Sequence, residues 1–324
     1  MKQTNKLQGK VVVITGASSG VGRAAALEIA KQGGNVVLAA RREEVLNEVA
    51  EECKAFGSHV LVVPTDVTDA GQMNTLAAMA QHWGGKIDVW INNAGLLAAG
   101  PFDETPISVQ EKVIQTNLIG YIHGAHAVLP HFKAQDYGVL INNISVGGWF
   151  PTPYAAAYSA SKFGLRGFGE ALQGELHHYP NIHVCNLYPA FLDTPGIQHA
   201  ANFTGKVLRP APPIYNPQRV AAAMAKLITK PKDTVAVSSA STFLRLAHSL
   251  FPGLSRKITA NVIELYLRSA DETSHTTGNV LEPVEYGTSI HGGWSVPARL
   301  KLAVTGAAAL AGIAVGVSLL AKHK

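Results

Sequence analysis

Three observations predict a doubly wound parallel sheet in a three-layer α/β/α arrangement. Short apolar runs recur along the chain, helix-length periodic stretches separate them, and a glycine-rich turn joins the first run to the first such stretch. The runs at 11–15, 35–40, 59–64, 87–91, 138–144 and 182–188 read as strands covered on both faces, because they show no polar side. Between them, 20–32, 43–56, 69–82, 108–135 and 157–178 are long enough and periodic enough for helices. Strands that alternate with helices pair in parallel, with the crossovers layered on both faces of the sheet. Ligands of such sheets bind beyond the carboxyl ends of the strands, so functional residues are expected where each strand stops.

After position 188 the pattern loosens. Residues 195–217, rich in Pro, Gly, Ala and Asn, are expected as a flexible segment beside the site. Helices at 217–229 and 242–250, a strand at 234–237 between them, and one more helix at 258–268 complete a domain spanning 1–270. The polar, Gly- and Pro-bearing stretch that follows, 271–299, reads as a linker. From 302 to 321 the chain has no charged residue, and a helix of that length is about 30 Å long, the thickness of a bilayer core. Arg299 and Lys301 precede this run, Lys322 and Lys324 follow it, and Ala308, Gly312 and Gly316 form a small-residue face suited to helix pairing. A transmembrane helix is therefore expected at 300–321. The alternative, a buried Ala/Gly-rich core helix, does not explain its position beyond a complete domain. The polar N-terminus runs into the first strand without a signal-peptide core, so a single-pass membrane protein with its large domain facing the cytoplasm is expected.

Composition narrows the function classes. The chain is 47% hydrophobic and 15% charged, enough to bury a sizeable core and unlike a disordered chain. Cys53 and Cys185 are far apart and form no metal or disulfide pattern, which suits a reducing compartment. His123 with His126, and His177 with His178, read as helix-surface or packing residues, and no metal is expected. The net charge of +5 fits an anionic cofactor, an anionic lipid surface or a mildly basic solvated exterior. No basic run is interleaved with aromatics, so nucleic acid is not an expected partner.

The segment Thr15 to Gly22 follows the first strand and opens the first helix. Gly16, Gly20 and Gly22 let the backbone turn sharply and approach a pyrophosphate, while Ser18, Ser19 and Val21 sit where the helix N-terminus offers free N–H groups. Placed between strand and helix, this turn points to a dinucleotide and to a Rossmann-type sheet. At the end of the second strand Ala40 stands where an acidic residue would receive the ribose hydroxyls, and Arg41 and Arg42 follow. A guanidinium pairs two phosphate oxygens, so NADP(H) is favoured over NAD(H). The plainer reading makes both arginines solvated first-turn residues. Asp66 and Val67, after the third strand, suit an adenine or, with Thr68 and Asp69, a helix-capping turn. Asn92, Asn93, Ala94 and Gly95, after the fourth, combine small side chains with amides that suit a ribose or a simple turn.

Tyr158 and Lys162 are four residues apart, on one face of a helix. A free tyrosine has a pKa of about 10, and an ammonium beside it favours the phenolate and brings it closer to neutral. Thirteen residues earlier, Ser145 ends the fifth strand, where its hydroxyl suits a substrate oxygen beside the phenol. Asn117, a poor helix former inside an expected helix, suits a water linking the lysine to solvent. Each of these, alone, is equally a surface or strand-end residue.

Together and in this order, the motifs resemble the short-chain dehydrogenase/reductase family: TGASSGVG at 15–22, TDV at 65–67, NNAG at 92–95, then Asn117, Ser145 and YSASK at 158–162. The resemblance covers about 9–238. It implies that Tyr158 is the general acid and base, that Lys162 lowers its pKa and binds ribose, that Ser145 orients the carbonyl, and that Asn117 holds a proton-relay water. The family's proline-glycine turn appears here as Pro189-Ala190, a departure that puts the backbone near the nicotinamide in question, while Thr194 matches the position that bonds the carboxamide. The implied function is an NADP(H)-dependent oxidoreductase interconverting a small-molecule carbonyl and an alcohol, with an apolar substrate. A membrane-tethered dinucleotide-binding sensor or scaffold, and an epimerase or dehydratase of the same family, are the alternatives. Relatives pair through helices corresponding to 108–135 and 157–178, so a homo-oligomer is expected.

Overall fold

The structure, a computed structural model, describes residues 5–294. Its centre is a parallel sheet of β1 (Val11–Thr15), β2 (Asn35–Ala40), β3 (Val60–Pro64), β4 (Val89–Asn92), β6 (Gly138–Asn143), β7 (Ile182–Tyr188) and β9 (Thr234–Ala236) in the order β3-β2-β1-β4-β6-β7-β9. The short β5 (Ala98–Ala99) and β8 (Ala201–Asn202) pair outside it. Helices α1 (Gly20–Lys31), α2 (Glu43–Lys54) and α7 (Gln218–Thr229) share a core with Val12, Ile14, Val36 and Leu38. On the other face α3 (Ala70–Gly84), α5 (Gly120–Gln135) and α6 (Ala156–Glu175) meet Val11, Val13 and Val37. Alternate residues of one strand thus feed opposite cores, and each buried Val or Leu stabilises the fold by about 1.5–3 kcal/mol. The order reverses between β1 and β4, which opens a crevice at their carboxyl ends.

The expected helix at 108–135 is divided. α4 (Ile107–Ile114) passes through a π-helical turn, Gln115–Ile119, into α5. The turn holds Asn117, whose amide bonds the backbone of Leu96 instead of facing solvent. α8 (Ser239–Leu250) begins earlier than the apolar period indicates because Ser238 caps it, its hydroxyl accepting from Ser241 N at 3.2 Å. α9 (Pro252–Ser269) likewise begins at a proline, which needs no N–H in a first turn.

Two stretches expected to be loose are held down. Within 195–217, β8 is fixed to the chain around β5 through Ala201 N to Leu97 O at 2.9 Å and Phe203 N to Ala99 O at 2.7 Å. The described part of the expected linker, 271–294, is not free of the domain but runs back across the carboxyl edge of the sheet. Gly20 N donates to Ser289 O at 3.0 Å, and Arg23 Nη1 donates to Thr288 O at 2.8 Å. The expected transmembrane helix at 300–321 lies outside the described residues. Among the described residues no helix is long and apolar enough to cross a membrane.

Candidate active site

The glycine-rich turn is fixed by its neighbours at the end of β4. Thr15 Oγ1 accepts from Asn93 N at 3.0 Å and Ala94 N at 3.3 Å, and Asn93 Nδ2 donates to Thr15 O and Gly16 O at 3.0 and 3.2 Å. Gly16 has φ +66°, and a Cβ there would stand 2.7 Å from Ala94 Cα; at Gly22 it would strike Gly16 O. No side chain fits at either position, so the backbone itself lines the crevice above the N-terminus of α1.

Ser145 follows β6 with φ 113° and ψ 156°, a region that is costly for any residue with a side chain. Its hydroxyl accepts from Gly147 N at 3.1 Å and hydrogen-bonds the Tyr158 phenol. Burial raises the Tyr158 pKa, and the Ser145 bond opposes that rise. Burial also lowers Lys162, to about 7, with its Nζ 5.6 Å from the Tyr158 ring centre and 5.4 Å from that of Tyr121. The sequence expectation of an ammonium that lowers the phenol is thus reversed in emphasis: desolvation acts on both groups, and the lysine is itself poised between its two charge states.

Asn117 is fully buried behind the site. Its Oδ1 accepts from Leu96 N at 2.7 Å, and its Nδ2 donates to Leu96 O at 2.9 Å and Ser161 Oγ at 3.2 Å. Both amide hydrogens and one lone pair of Oδ1 are used by these partners, so the side chain clamps the chain after Gly95 against α6.

One cavity of about 600 Å³ joins these groups. Gly16, Ser18, Ser19, Gly20 and Val21 line it, as do Asn93, Ala94 and Gly95. At one end lie Arg41, Arg42, Asp66 and Val67; at the other lie Ser145, Tyr158, Lys162, Pro189 and Thr194. Gly22 and Asn117 stand behind its wall.

Arg41 Nη2 donates to Asn279 O at 2.9 Å, and Arg42 Nη1 donates to Val284 O. Neither forms a salt bridge among the described residues. Burial, and then Arg41, lower the Arg42 pKa, so a second, anionic partner is favoured there. Asp66 accepts from Thr68 N and Oγ1 at 2.9 and 2.8 Å. Burial opposes its charge, but those bonds, with Lys112 and Arg41 nearby, hold it below the usual carboxylate range. It is both a turn residue and a cavity wall, so the two sequence readings are compatible. Ala190 is not among the described non-glycine residues with positive φ, which are Asp136, Ser145 and Tyr154. Alanine therefore replaces the family's glycine without backbone strain. Among the described residues no cluster of three or more metal-ligating side chains occurs.

Sequence reasoning missed the roof of this crevice and its anchor, Asp193. Asp193 Oδ1 accepts from Trp294 N at 2.7 Å, Oδ2 lies 3.3 Å from His291 Nδ1, and Trp294 Nε1 donates to Thr194 O at 3.0 Å. Residues 279–294 thus span from the arginine pair to the residues after β7. It also missed Tyr121, which lies beneath Lys162 and donates to Asn143 O at 2.9 Å. An apolar period alone marks such a tyrosine as core.

Residues 10–203 match the family described as short chain dehydrogenase. An uncharacterized oxidoreductase, YxnA, of Bacillus subtilis is 32% identical over 80% of this chain and 73% of its own. A short chain dehydrogenase/reductase from Burkholderia phymatum, solved in complex with NAD, is 26% identical with a TM-score of 0.67, covering 84% of this chain and 99% of its own. An alcohol dehydrogenase from the archaeon Thermococcus sibiricus, complexed with 5-hydroxy-NADP, is 28% identical with a TM-score of 0.61, over 70% and 95% of the two chains. The ordered motifs, the parallel sheet and the cavity that gathers them agree with these likenesses: the chain belongs to the short-chain dehydrogenase family, oxidoreductases acting on CH–OH donors with NAD(P).

Proposed function

We propose that the protein interconverts an apolar carbonyl compound and its alcohol with NADP(H), using Tyr158 as general acid in reduction and general base in oxidation. The observation that carries this reading is the meeting of Ser145, Tyr158 and Lys162 in the wall of a cavity whose far end is formed by Arg41 and Arg42. The glycine cradle, where a Cβ at Gly16 or Gly22 would collide with backbone, fits a pyrophosphate held by main-chain N–H groups. The coenzyme, when bound, supplies or accepts the hydride. Ser145 hydrogen-bonds the substrate oxygen, and in reduction Tyr158 gives that oxygen its proton as the carbonyl carbon becomes a C–H centre. Lys162 as ammonium stabilises the resulting phenolate, and its low pKa lets it pass the proton onward. The two arginines, unpaired with carboxylates, favour a 2′-phosphate over free hydroxyls.

Apolarity of the substrate is supported by the apolar side chains that line the same cavity, Phe150, Leu208, Val262, Ile263 and Leu267 among them. Tethering to a membrane through 300–321 belongs to the same proposal and rests on sequence alone. Pairing into a homo-oligomer is supported by Ile119 and Phe163, apolar side chains exposed beside α5 and on α6. Replacing Tyr158 with Phe tests the mechanism. Turnover is expected to fall by at least about a hundredfold, with NADPH affinity nearly unchanged; preserved turnover contradicts the assignment.

A further inference from the structure

α8 and α9 form a helical hairpin outside the layers of the sheet, and much of its apolar surface is uncovered. α8 exposes Phe243, Leu246 and Leu250, spaced i, i+3, i+7; α9 exposes Leu254, Ile258, Val262 and Leu265, spaced i, i+4, i+8, i+11. These are not marginal exposures: Phe243, Leu250 and Leu265 are 68–69% accessible. Single exposed hydrophobes are ordinary on a soluble surface, but two adjoining helical stripes mark an interaction face. The same hairpin carries Arg245, Arg256, Lys257 and Arg268 against one carboxylate, Glu264. Arg245 packs over the Trp149 ring and Arg256 falls on the far side of α9, but helical spacing puts Lys257 and Arg268 along one edge of the α9 stripe. An apolar stripe with cations on its edge suits the boundary between anionic headgroups and acyl chains.

The face also communicates with the active site. Val262 belongs to the exposed stripe and to the cavity wall, and Thr259, Ile263 and Tyr266, on the same helix, line the cavity. A second copy of the chain is the less suitable occupant. A two-fold contact would bring this cationic surface against itself, with like charges opposed.

We propose that the α8–α9 hairpin lies on an anionic bilayer surface and admits an apolar substrate from the acyl layer into the cavity past Val262. This deepens the apolar-substrate reading and rests on it, but it concerns a segment distinct from 300–321. Substrate would then pass from lipid to Tyr158 without crossing bulk water, and α9 would be both the membrane contact and the pocket wall.

The test uses the full chain carrying a single new cysteine, Leu250→Cys or Leu265→Cys, with Met79→Cys on α3 as the control. The native Cys53 and Cys185 are buried and their thiols are pushed up to about 12, so a nitroxide maleimide attaches at the new site. Labelled protein is mixed with vesicles of phosphatidylcholine alone or with phosphatidylglycerol. Collision with oxygen and with a water-soluble nickel chelate is then measured by electron paramagnetic resonance. With phosphatidylglycerol, labels at 250 and 265 are expected to gain oxygen and lose nickel accessibility several-fold, while the label at 79 does not change. The double variant Lys257→Glu, Arg268→Glu is expected to reverse that gain. Labels at 250 and 265 that stay open to nickel on vesicles overturn the proposal, even if the protein is held there by 300–321. Dipolar broadening without vesicles, which reports a second copy on this face, also overturns it. So does shielding that is the same with and without lipid, which reports coverage by the chain itself. None of these readouts requires coenzyme or turnover, so they fail independently of the catalytic assignment.

Discussion

Burial holds the coenzyme-free Lys162 at about 7, far below an ordinary lysine, and this ties the residue's charge to what binds beside it. The ammonium form prevails below that pH and the amine above it. An anionic coenzyme favours the ammonium, so binding takes up a proton at and above neutral pH. NADPH affinity is therefore expected to be greatest below pH 7 and to weaken, by up to about tenfold per pH unit, as pH rises through the free-state value. Fluorescence titration between pH 6 and 9 measures this. Lys162→Met should flatten the profile, and a flat profile in the unaltered protein contradicts the account. Ser145 shows a second residue-level tension: its backbone is held at φ 113° so that its hydroxyl faces Tyr158. Strain of this kind is kept where position matters more than local stability. That Ser145, Tyr158 and Lys162 meet in one cavity was legible in sequence, because their spacing follows a strand end and one helix face. The desolvation that sets their pKa values was not, since it depends on neighbours such as Tyr121 that only packing assembles.

At the scale of elements, the six long strands were legible for one physical reason. A parallel strand covered on both faces must be apolar throughout, as Val11 to Ile14 are. The π-helical turn at Gln115–Ile119 was not legible, because its warrant is a tertiary bond from Asn117 to Leu96. The roof over the crevice was misread as a linker for a similar reason. It is polar, and it is held by Arg41, Arg42 and Asp193, residues remote in sequence. A roof that touches both ends of the crevice should slow coenzyme exchange. Asp193→Ala removes the acceptor for Trp294 N and the partner of His291. A charge-assisted bond is worth about 1.5–3 kcal/mol, so NADPH dissociation is expected to quicken about tenfold in stopped flow, with single-turnover hydride transfer unchanged. An unchanged dissociation rate contradicts this role for 279–294.

At the scale of the whole molecule, two separate segments are read as contacting a membrane, and they make different demands. Deleting 300–324 is expected to let a high-salt wash release the protein from membranes with activity retained, since salt detaches a surface-bound hairpin but not a spanning helix. A full-length chain that is soluble without detergent contradicts the tether. The division of labour in the domain is clearer still. In the proposed assignment the crevice between β1 and β4 takes the coenzyme, the ends of β6 and β7 supply the chemistry, and α9 lines the apolar side of the cavity. Everything assigned to Ser145, Tyr158 and Lys162 presupposes a dinucleotide in that crevice, and Arg41 with Arg42 decides which one. The most direct test is equilibrium titration of the protein with NADPH and NADH side by side. The account predicts saturable binding of both, with NADPH tighter by at least about tenfold, the value of one charge-assisted contact. Equal or tighter NADH binding contradicts the role given to the arginines, and binding of neither contradicts the catalytic site itself.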